Sequence, residues 1–482
     1  MGPVKAFYLR GDGLPQSWVY EFAMLAREFY PQAAITDDPQ KAEAVFYYGQ
    51  GRWCGESGGK RISQECPDSA SLGGIASNPD KNRLKAGLYC LLEKCTGQTI
   101  PWGILTGVRP AKLAFEAMEN GRSPQEIQNM LERGFFLRPD KAALTVQVAD
   151  AERKLLSGHS PSDVSVYVGI PFCPSRCLYC SFVSYDFHTM GDTMERYCVA
   201  LEKEIGSCGD FIRGRKLQSF YMGGGTPTSL TPRQLEKILK VAGKVFGFDN
   251  FREATVEAGR PDTITRERLE VLRSFGIGRI SVNPQTMNDK TLERIGRKHS
   301  AQDTYQAFEL ARTMGFENIN MDFIVGLPGE GAGEVRYSME KVKELCPDSI
   351  TVHTLAVKRS SRLNEEGLAE SVLGRPETEE MLQISQQAAL EMGMKPYYLY
   401  RQKNMAGNFE NVGYSLPGKE CIYNIEIMEE KQNILAAGAG AVSKVYFPED
   451  NRLERVANVK NVEEYIRRTE EMLERKKRRF IL

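Results

Sequence analysis

The length, composition and charge of the chain exclude several classes of protein. Its 482 residues are 41% hydrophobic and 26% charged, which is typical of a globular protein with two or three domains. Lys and Arg total 63, as do Asp and Glu, so no net basic charge exists to hold nucleic acid or an anionic membrane.

The sequence also indicates where the protein resides. The N-terminal residues carry no apolar secretory segment, and no run of about 18 apolar residues follows them. Eleven cysteines without an export signal are typical of a reducing compartment. We therefore expect a cytoplasmic protein without a membrane span, whose cysteines are buried thiols or metal ligands.

Residues 1–160 predict an N-terminal α/β accessory domain. Strands are predicted at 4–10 and 42–49, on either side of an amphipathic helix at 18–30. A Gly/Ser-rich loop is predicted over 55–80, followed by mostly helical sequence and a turn-rich linker before the next domain.

Residues 161–360 have a repeating rhythm of short β-rich runs and helical stretches, the latter including 231–246 and 300–316. Such alternation is typical of parallel βαβ units, and six units predict an α/β fold with a partial (β/α)6 TIM-like barrel. The six predicted strands are 164–170, 217–223, 253–259, 278–284, 318–326 and 349–355.

Residues 361–482 predict a mixed C-terminal domain. It ends on the charged stretch VEEYIRRTEEMLERKKRRF at 462–480. A solvated helix explains this pattern better than a basic surface for an acidic partner.

Three cysteines directly follow the first predicted strand, in the sequence IPFCPSRCLYCSF at 170–182. Cys173, Cys177 and Cys180 are spaced C-x3-C-x2-C. Structural zinc and a fully protein-held iron–sulfur cube each need four ligands, so three thiolates leave one metal position open. A metal cluster explains this grouping better than buried structural thiols.

Other notable residues also fall at the carboxyl ends of predicted strands. The run GGGTPT at 223–228 follows the second strand, and Glu257 closes the third. Gln285 follows the fourth, and Asp322 lies near the end of the fifth. Singly, these features are explained as well by a tight turn or a structural carboxylate. Together they predict one composite site, because active sites of parallel barrels lie at that rim.

The cysteine spacing, with an aromatic residue before the last cysteine, resembles the signature of radical S-adenosylmethionine (SAM) enzymes. Motifs across 164–356 resemble the oxygen-independent coproporphyrinogen III oxidase (HemN-like) family. Three further segments, at 101–113, 396–414 and 421–430, resemble its HemZ-type branch of coproporphyrinogen dehydrogenases.

The resemblance implies two cofactors, a [4Fe–4S] cluster and SAM. Cys173, Cys177 and Cys180 would hold three irons, and SAM would occupy the fourth. The residues implied to surround SAM are Tyr179, Gly223, Gly224, Gly225, Thr226, Glu257, Gln285, Arg297, Asp322 and Ile324.

The resemblance also implies the role of each of these residues. The glycine backbone with Thr226 would receive the SAM amino group, and the Arg297 fork would pair with its carboxylate. Asp322 would bind the ribose hydroxyls, while Tyr179 and Ile324 would lie near the adenine. Glu257 and Gln285, named above, would line the pocket.

The implied activity is oxidative decarboxylation of coproporphyrinogen III to protoporphyrinogen IX. A 5′-deoxyadenosyl radical would take hydrogen from a propionate β-carbon, and loss of CO2 and an electron would leave a vinyl group. A reducing partner such as flavodoxin or ferredoxin would supply the first electron. Cationic side chains that suit a porphyrinogen carboxylate, or simply the surface, are Arg109, Lys358, Arg359 and Arg401.

Two other functions remain open on the sequence. One is a haem chaperone of the HemW type, although Tyr423 and Asn424 stand where that branch has a His-Asn pair. The other is radical chemistry on another tetrapyrrole. Ser181 and Phe182 follow the third cysteine, where the best-known oxidase branch carries a further cysteine.

Overall fold

The computed structural model describes residues 4–31, 33–67, 78–107, 109–182, 185–187, 190–358, 360–368, 377–402 and 405–480. These residues form two compact units. The first contains the described residues up to Arg153 together with those of Leu399–Glu410, and the second contains the remainder. The domain boundaries expected near residues 160 and 360 stay predictions.

The first unit is built on a five-stranded sheet of order β2-β1-β3-β4-β5. Its elements are β1 (Ala6–Gly11), α1 (Gln16–Phe29), β2 (Ala34–Ile35), β3 (Ala44–Gly49), β4 (Arg52–Ser57), β5 (Lys60–Glu65), α2 (Pro79–Thr96), α3 (Pro110–Glu119), α4 (Pro124–Gly134) and α5 (Pro139–Leu155). Both predicted strands and the amphipathic helix are present as β1, β3 and α1.

The loop predicted over 55–80 is wrong in its first part. Strands β4 and β5 form an antiparallel hairpin, and Ser57 pairs with Lys60 across a two-residue turn. Gly58 and Gly59, which suggested a loop, have φ of +59° and +74° and supply the left-handed turn. Residues 68–77 of the predicted loop lie outside the described residues.

The other elements of the chain follow in order. They are β6 (Val164–Ile170), β7 (Phe172–Cys173), β8 (Tyr185–Asp186), α6 (Gly191–Gly206), α7 (Gly209–Ile212), β9 (Leu217–Gly224), α8 (Pro232–Phe246), β10 (Glu253–Glu257), α9 (Arg266–Ser274), β11 (Arg279–Ser281), α10 (Asp289–Arg294), α11 (Ala301–Thr313), β12 (Asn318–Val325), α12 (Ala332–Leu345), β13 (Ser349–Thr354), α13 (Arg362–Glu365), α14 (Thr378–Glu391), β14 (Lys395–Tyr400), β15 (Asn411–Ser415), α15 (Ile422–Glu429), β16 (Asn433–Ala437), β17 (Val442–Phe447), β18 (Arg452–Ala457), α16 (Val462–Arg467) and α17 (Thr469–Phe480).

Six parallel strands confirm the predicted partial (β/α)6 fold. Strands β6, β9, β10, β11, β12 and β13 lie side by side in chain order, and every neighbouring pair is parallel. The predicted helices are present as α8 and α11, which begin with capping boxes at Thr231 and Ser300. The described strands form an open eleven-stranded sheet that runs from β14 to β18 without closing.

The sheet extends beyond these six strands on both sides. Strand β15 adds to β13 in antiparallel orientation, while β16 adds to β6 in parallel orientation. Both added strands come from the C-terminal part of the chain. The edges of the six-stranded core are therefore paired by segments distant in sequence.

The C-terminal stretch predicted as a solvated helix is instead two helices, α16 and α17, with one buried face. Lys476 is fully buried and forms an ion pair with the fully buried Glu204 of α6. Met472 and Leu473, one turn earlier on α17, are buried as well. The prediction fails on this face because a lysine three or four residues after apolar positions shares their side of the helix.

Candidate active site

The three cysteines lie on a loop that is anchored at several points. Cys173 ends β7, and the Cys180 N–H donates to the Cys177 carbonyl at 3.2 Å. The Leu178 N–H donates to the Ile295 carbonyl at 2.9 Å. The first bond is internal to the loop, and the second holds the loop against the end of α10.

The surroundings of the thiols disfavour the free thiolate form. Burial raises the pKa of the Cys173 thiol to about 11, and the adjacent Cys177 and Cys180 add to this effect. Burial raises the pKa of Cys180 as well. A metal centre reverses this preference because it binds and stabilises thiolates.

The geometry of the triplet does not suit a single metal ion. Among the described residues, which include all three cysteines, no group of three or more His, Cys, Asp or Glu side chains could hold one ion. A cluster requires one thiolate for each iron, so its ligands lie farther apart than those of a mononuclear site. Three free thiols on one loop are the type of ligand that an iron–sulfur cluster takes.

Arg260 is a site residue that the sequence did not reveal. Its guanidinium forms a fork with the Asp262 carboxylate at 2.9 and 3.0 Å. The same group donates to the Ser175 hydroxyl at 3.1 Å and to Cys177 Sγ at 3.7 Å. Arg260 is only 3% exposed, so its positive charge lies within the site rather than in solvent. The only signal in the sequence was its place in the stretch VEAGRPD at 256–262, one of the motifs that resemble the HemN-like family.

The glycine run contacts the cysteine loop directly. The Gly225 N–H donates to the Ile170 carbonyl at 2.7 Å, and the Thr226 N–H donates to the Phe172 carbonyl at 2.8 Å. A Cβ atom at Gly225 would lie 2.7 Å from the Phe172 carbonyl oxygen. The Thr226 hydroxyl is 3.5 Å from Cys173 Sγ. Glycine is therefore required here by close backbone approach.

Glu257 lies at the end of β10, beside Gly223. A Cβ atom on that glycine would be 2.8 Å from the Glu257 carboxyl group. Burial raises the pKa of Glu257 to about 7, although the Tyr221 hydroxyl, which donates to it at 2.5 Å, opposes this shift. Tyr221 also stacks on Tyr423 with 4.5 Å between ring centroids.

Gln285, Asp322 and Ile324 meet at the end of β12. The Gln285 N–H donates to the Asp322 carbonyl, and the Ile324 N–H donates to the Gln285 carbonyl, both at 3.0 Å. These two bonds hold Gln285 at a φ of +73°, which is unusual for a non-glycine residue.

The Asp322 side chain is held in its charged form. Burial acts against the charge, but His353 and Asn320 keep the pKa of Asp322 below its ordinary value. The Asn320 amide donates to Asp322 at 2.7 Å, and His353 Nε2 is 3.7 Å away. A partly buried carboxylate that keeps its charge therefore lies beside Gln285.

Arg297 is buried, with one donor unused. Its guanidinium donates to the carbonyls of Asn283 at 2.8 Å and Gly259 at 3.2 Å, and to the Tyr179 hydroxyl at 3.0 Å. Its Nε is buried and has no hydrogen-bond partner. Such a donor is suited to an anionic ligand group.

The cationic residues predicted to meet substrate carboxylates do not all belong to one unit. Arg109 and Arg401 belong to the first unit, and Lys358 belongs to the second. Arg359 lies outside the described residues. Arg401 is 5% exposed and forms an ion pair with Glu28, so it is not a surface charge.

Comparison with known proteins identifies related sequences. The radical SAM superfamily matches residues 167–342. The oxygen-independent coproporphyrinogen-III oxidase-like protein HemZ of Bacillus subtilis is 40% identical over 401 residues, which cover 82% of this chain and 80% of that protein. The heme chaperone HemW of the same organism is 36% identical over 195 residues, which cover 40% of this chain and 51% of that protein.

A solved structure shares the fold. Coproporphyrinogen III oxidase (HemN) of Escherichia coli, a radical SAM enzyme, superposes with a TM-score of 0.54 over 67% of this chain and 72% of its own, at 22% sequence identity. Within the described part of the chain, no helix is both long and apolar enough to cross a membrane.

Proposed function

The chain belongs to the radical SAM superfamily, in the family of oxygen-independent coproporphyrinogen-III oxidase-like proteins, and we propose that it decarboxylates propionate side chains of a porphyrinogen. Its cofactors are those of the superfamily, a [4Fe–4S] cluster and SAM. The proposed substrate is coproporphyrinogen III, and the proposed product is protoporphyrinogen IX. A flavodoxin or ferredoxin in the cytoplasm is the proposed electron donor.

One observation carries the proposal. The cysteine loop touches the glycine run, and the two meet at the carboxyl ends of parallel strands whose sequence lies in the superfamily match. Identity of 40% to HemZ over most of both chains supports the substrate class. When bound, the cluster and SAM supply one-electron cleavage of SAM and a radical that abstracts hydrogen from the substrate.

The protein holds these cofactors through thiolates and backbone groups. Cys173, Cys177 and Cys180 would hold the cluster through three of its irons, and SAM would bind the fourth. The N–H groups of Gly225 and Thr226 donate to the carbonyls of Ile170 and Phe172. Because the SAM amino group is a donor, it would bind carbonyl oxygens of the glycine run or the Thr226 hydroxyl.

Charged side chains orient the rest of SAM. The unused Nε of Arg297 would donate to the SAM carboxylate, and the Asp322 carboxylate would accept from the ribose hydroxyls. Tyr179 and Ile324 pack near the adenine. The pocket is completed by Gln285, together with Glu257 from the neighbouring strand. Gln285, Arg297 and Ile324 are buried and would help to exclude water from the reacting atoms.

An anaerobic assay tests the proposal. The reconstituted protein is reduced and given SAM and coproporphyrinogen III, and products are followed by mass. We expect loss of two carboxyl groups together with formation of 5′-deoxyadenosine and methionine. Cys177→Ala should abolish both, whereas Cys346→Ala, at an exposed cysteine, should leave both intact.

Two other results would contradict the proposed function. Formation of 5′-deoxyadenosine with coproporphyrinogen III unchanged would retain the radical chemistry and reject this substrate. Stoichiometric haem binding without SAM cleavage by the cluster-loaded protein would instead favour the chaperone function of the HemW relatives.

A further inference from the structure

A cavity of about 470 Å³ lies inside the first unit. It is bounded by α1, α2, residues 104–107 and Arg401 with its neighbours Gln402 and Met405. Every lining residue belongs to this unit, so the cavity is complete without the second. Its volume is within the range of small-molecule binding sites.

The two helices turn polar side chains toward the cavity. Glu21 and Glu28 of α1 line it at a spacing of seven residues, and Lys81 and Lys85 of α2 at a spacing of four. Each spacing places its residues on one side of the helix. Glu21 forms ion pairs with Lys81 at 3.0 Å and with Lys85 at 3.7 Å, so the two lysines share one carboxylate.

Lys85 is the most unusual of these residues, because it is only 5% exposed. Its Nζ donates to the Thr106 hydroxyl at 2.5 Å and lies 3.7 Å from the Glu21 carboxylate. Burial lowers the pKa of Lys85 to about 8, while Glu21 and Glu28 oppose this shift. The side chain therefore remains largely protonated at neutral pH, and its charge adds to the positive charge of the cavity wall.

Arg401 is a second buried cation in the wall of the cavity. Arg401 Nη2 donates to the Asn408 carbonyl at 2.9 Å, and Nη1 donates to the Leu105 carbonyl. The guanidinium lies 3.5 Å from Glu28. Arg401 Nε nevertheless has no hydrogen-bond partner, although Arg401 is only 5% exposed. Unused buried donors are rare and commonly indicate a missing partner.

The overall lining favours a ligand that is both anionic and partly apolar. Four cationic side chains line the cavity against two carboxylates, so its charge is positive. Apolar surface is contributed by Met24, Ile104 and Met405. An inorganic ion alone would leave this apolar wall without a partner.

We propose that this cavity binds a small organic anion, whose carboxylate or phosphate group meets Lys85 and Arg401 while its apolar part lies against Met24, Ile104 and Met405. The site is separate from the residues that bind the cluster and SAM. It therefore stands whether or not the proposed decarboxylation is correct.

Calorimetric titration of the full chain tests the site with four probes. Phenyl phosphate and benzoate carry an anionic group on an apolar ring, inorganic phosphate carries the anion alone, and benzyl alcohol is neutral. We expect one of the two aromatic anions to bind at a single site, and the better one identifies the preferred head group. Loss of a charge-assisted hydrogen bond should weaken binding about tenfold in Lys85→Gln and in Arg401→Gln. Lys94→Gln, exposed on the same helix, should bind as the parent does.

Three outcomes would overturn the proposal. Benzyl alcohol binding as tightly as the aromatic anions would remove the role of charge. Inorganic phosphate binding as tightly as phenyl phosphate would remove the apolar contribution, and absence of binding by both aromatic anions would remove the site.

A second measurement needs no substitution, in case the variants fail to fold. The parent protein is acetylated with and without the tighter-binding aromatic anion, and peptides are quantified by mass. We expect the bound anion to protect Lys85 and to leave Lys94 unchanged. Equal protection of both lysines, or of neither, would contradict binding in the cavity.

Discussion

At the scale of single residues, Arg260 and Glu257 determine how charge is balanced around the cysteines and the glycine run. Both are charged groups held largely away from solvent, and each depends on a specific partner, Asp262 for the arginine and Tyr221 for the glutamate. The contact between Arg260 and Cys177 and the contact between Glu257 and Tyr221 join segments distant in sequence, so the neighbouring residues do not predict them. Each residue leads to a measurable prediction.

The first prediction concerns Arg260. Its donor lies 3.7 Å from Cys177 Sγ, and a positive charge near a cluster sulfur favours the reduced, more negative cluster. In the reconstituted protein, Arg260→Gln should therefore lower the cluster reduction potential by tens of millivolts. Arg260→Lys keeps the charge and should shift it less. Redox titration followed by electron paramagnetic resonance measures the effect, and an unchanged potential in Arg260→Gln would rule it out.

The second prediction concerns Glu257, whose pKa is raised by burial to about 7 from 4.5. Between pH 4.5 and about pH 7, Glu257 loses its proton in the unfolded chain but keeps it in the folded chain. The free energy of unfolding therefore falls as the pH rises through this range, and above about pH 7 the contribution of Glu257 no longer changes with pH. Glu257→Gln lacks this proton. Relative to the parent, it should gain up to about 3 kcal/mol of unfolding free energy between about pH 5 and about pH 8.

Urea unfolding at both pH values measures this difference for Glu257. Glu236→Gln, at an exposed position of α8, serves as the matched control and should show no comparable gain. A difference between the parent and Glu257→Gln that does not vary with pH would contradict a raised pKa at Glu257.

At the scale of elements, the end of β9 and the cysteine loop are joined by backbone hydrogen bonds. The glycine run allows this approach, because a side chain at Gly225 would meet the Phe172 carbonyl oxygen. The position of Cys173 therefore depends on a strand that begins more than 40 residues later in the chain. This coupling between two elements leads to the third prediction.

Gly225→Ala should reduce the iron incorporated on reconstitution, because the added methyl group displaces the loop that carries Cys173. Gly278→Ala is the matched control, since a Cβ atom there meets nothing within 4 Å. Iron and sulfide content per chain measures the effect. Equal content in the two variants would show that the loop adapts without losing its ligand geometry.

At the scale of the whole molecule, the C-terminal part of the chain completes the sheet that carries the site. Strands β15 and β16 pair with the two outer strands of the six-stranded core, β13 and β6. A third attachment is the buried ion pair between Glu204 and Lys476. Unpaired strand edges are prone to association, so the core depends on these later segments.

The fourth prediction follows from this dependence. A fragment containing only residues 161–360 should aggregate or remain unfolded, because the edges of β6 and β13 are exposed without β16 and β15. The full chain, expressed in parallel, is the control. Size-exclusion chromatography and far-ultraviolet circular dichroism test both proteins, and a monomeric, folded fragment would show that the core is an independent domain.

The local pattern of residues was sufficient to predict the six parallel strands and the helices between them. Apolar runs of strand length and capping residues such as Thr231 involve only a few consecutive residues, so they can be recognised in the sequence. The hairpin of β4 and β5 was missed because Gly58 and Gly59 are compatible with both a loop and a tight turn. The partners of β6 and β13 were missed because strand pairing between distant segments leaves no local signal.

The same distinction between local sequence patterns and contacts between distant segments applies to the candidate site. The spacing of Cys173, Cys177 and Cys180 indicates a three-thiolate ligand set before any fold is known, because all three ligands lie on one short loop. The contact from Arg260 to Cys177 and the cavity around Lys85 depend on burial and on hydrogen bonds between segments far apart in the chain. Those contacts form only when distant segments pack together in the folded chain, so only the tertiary structure reveals them.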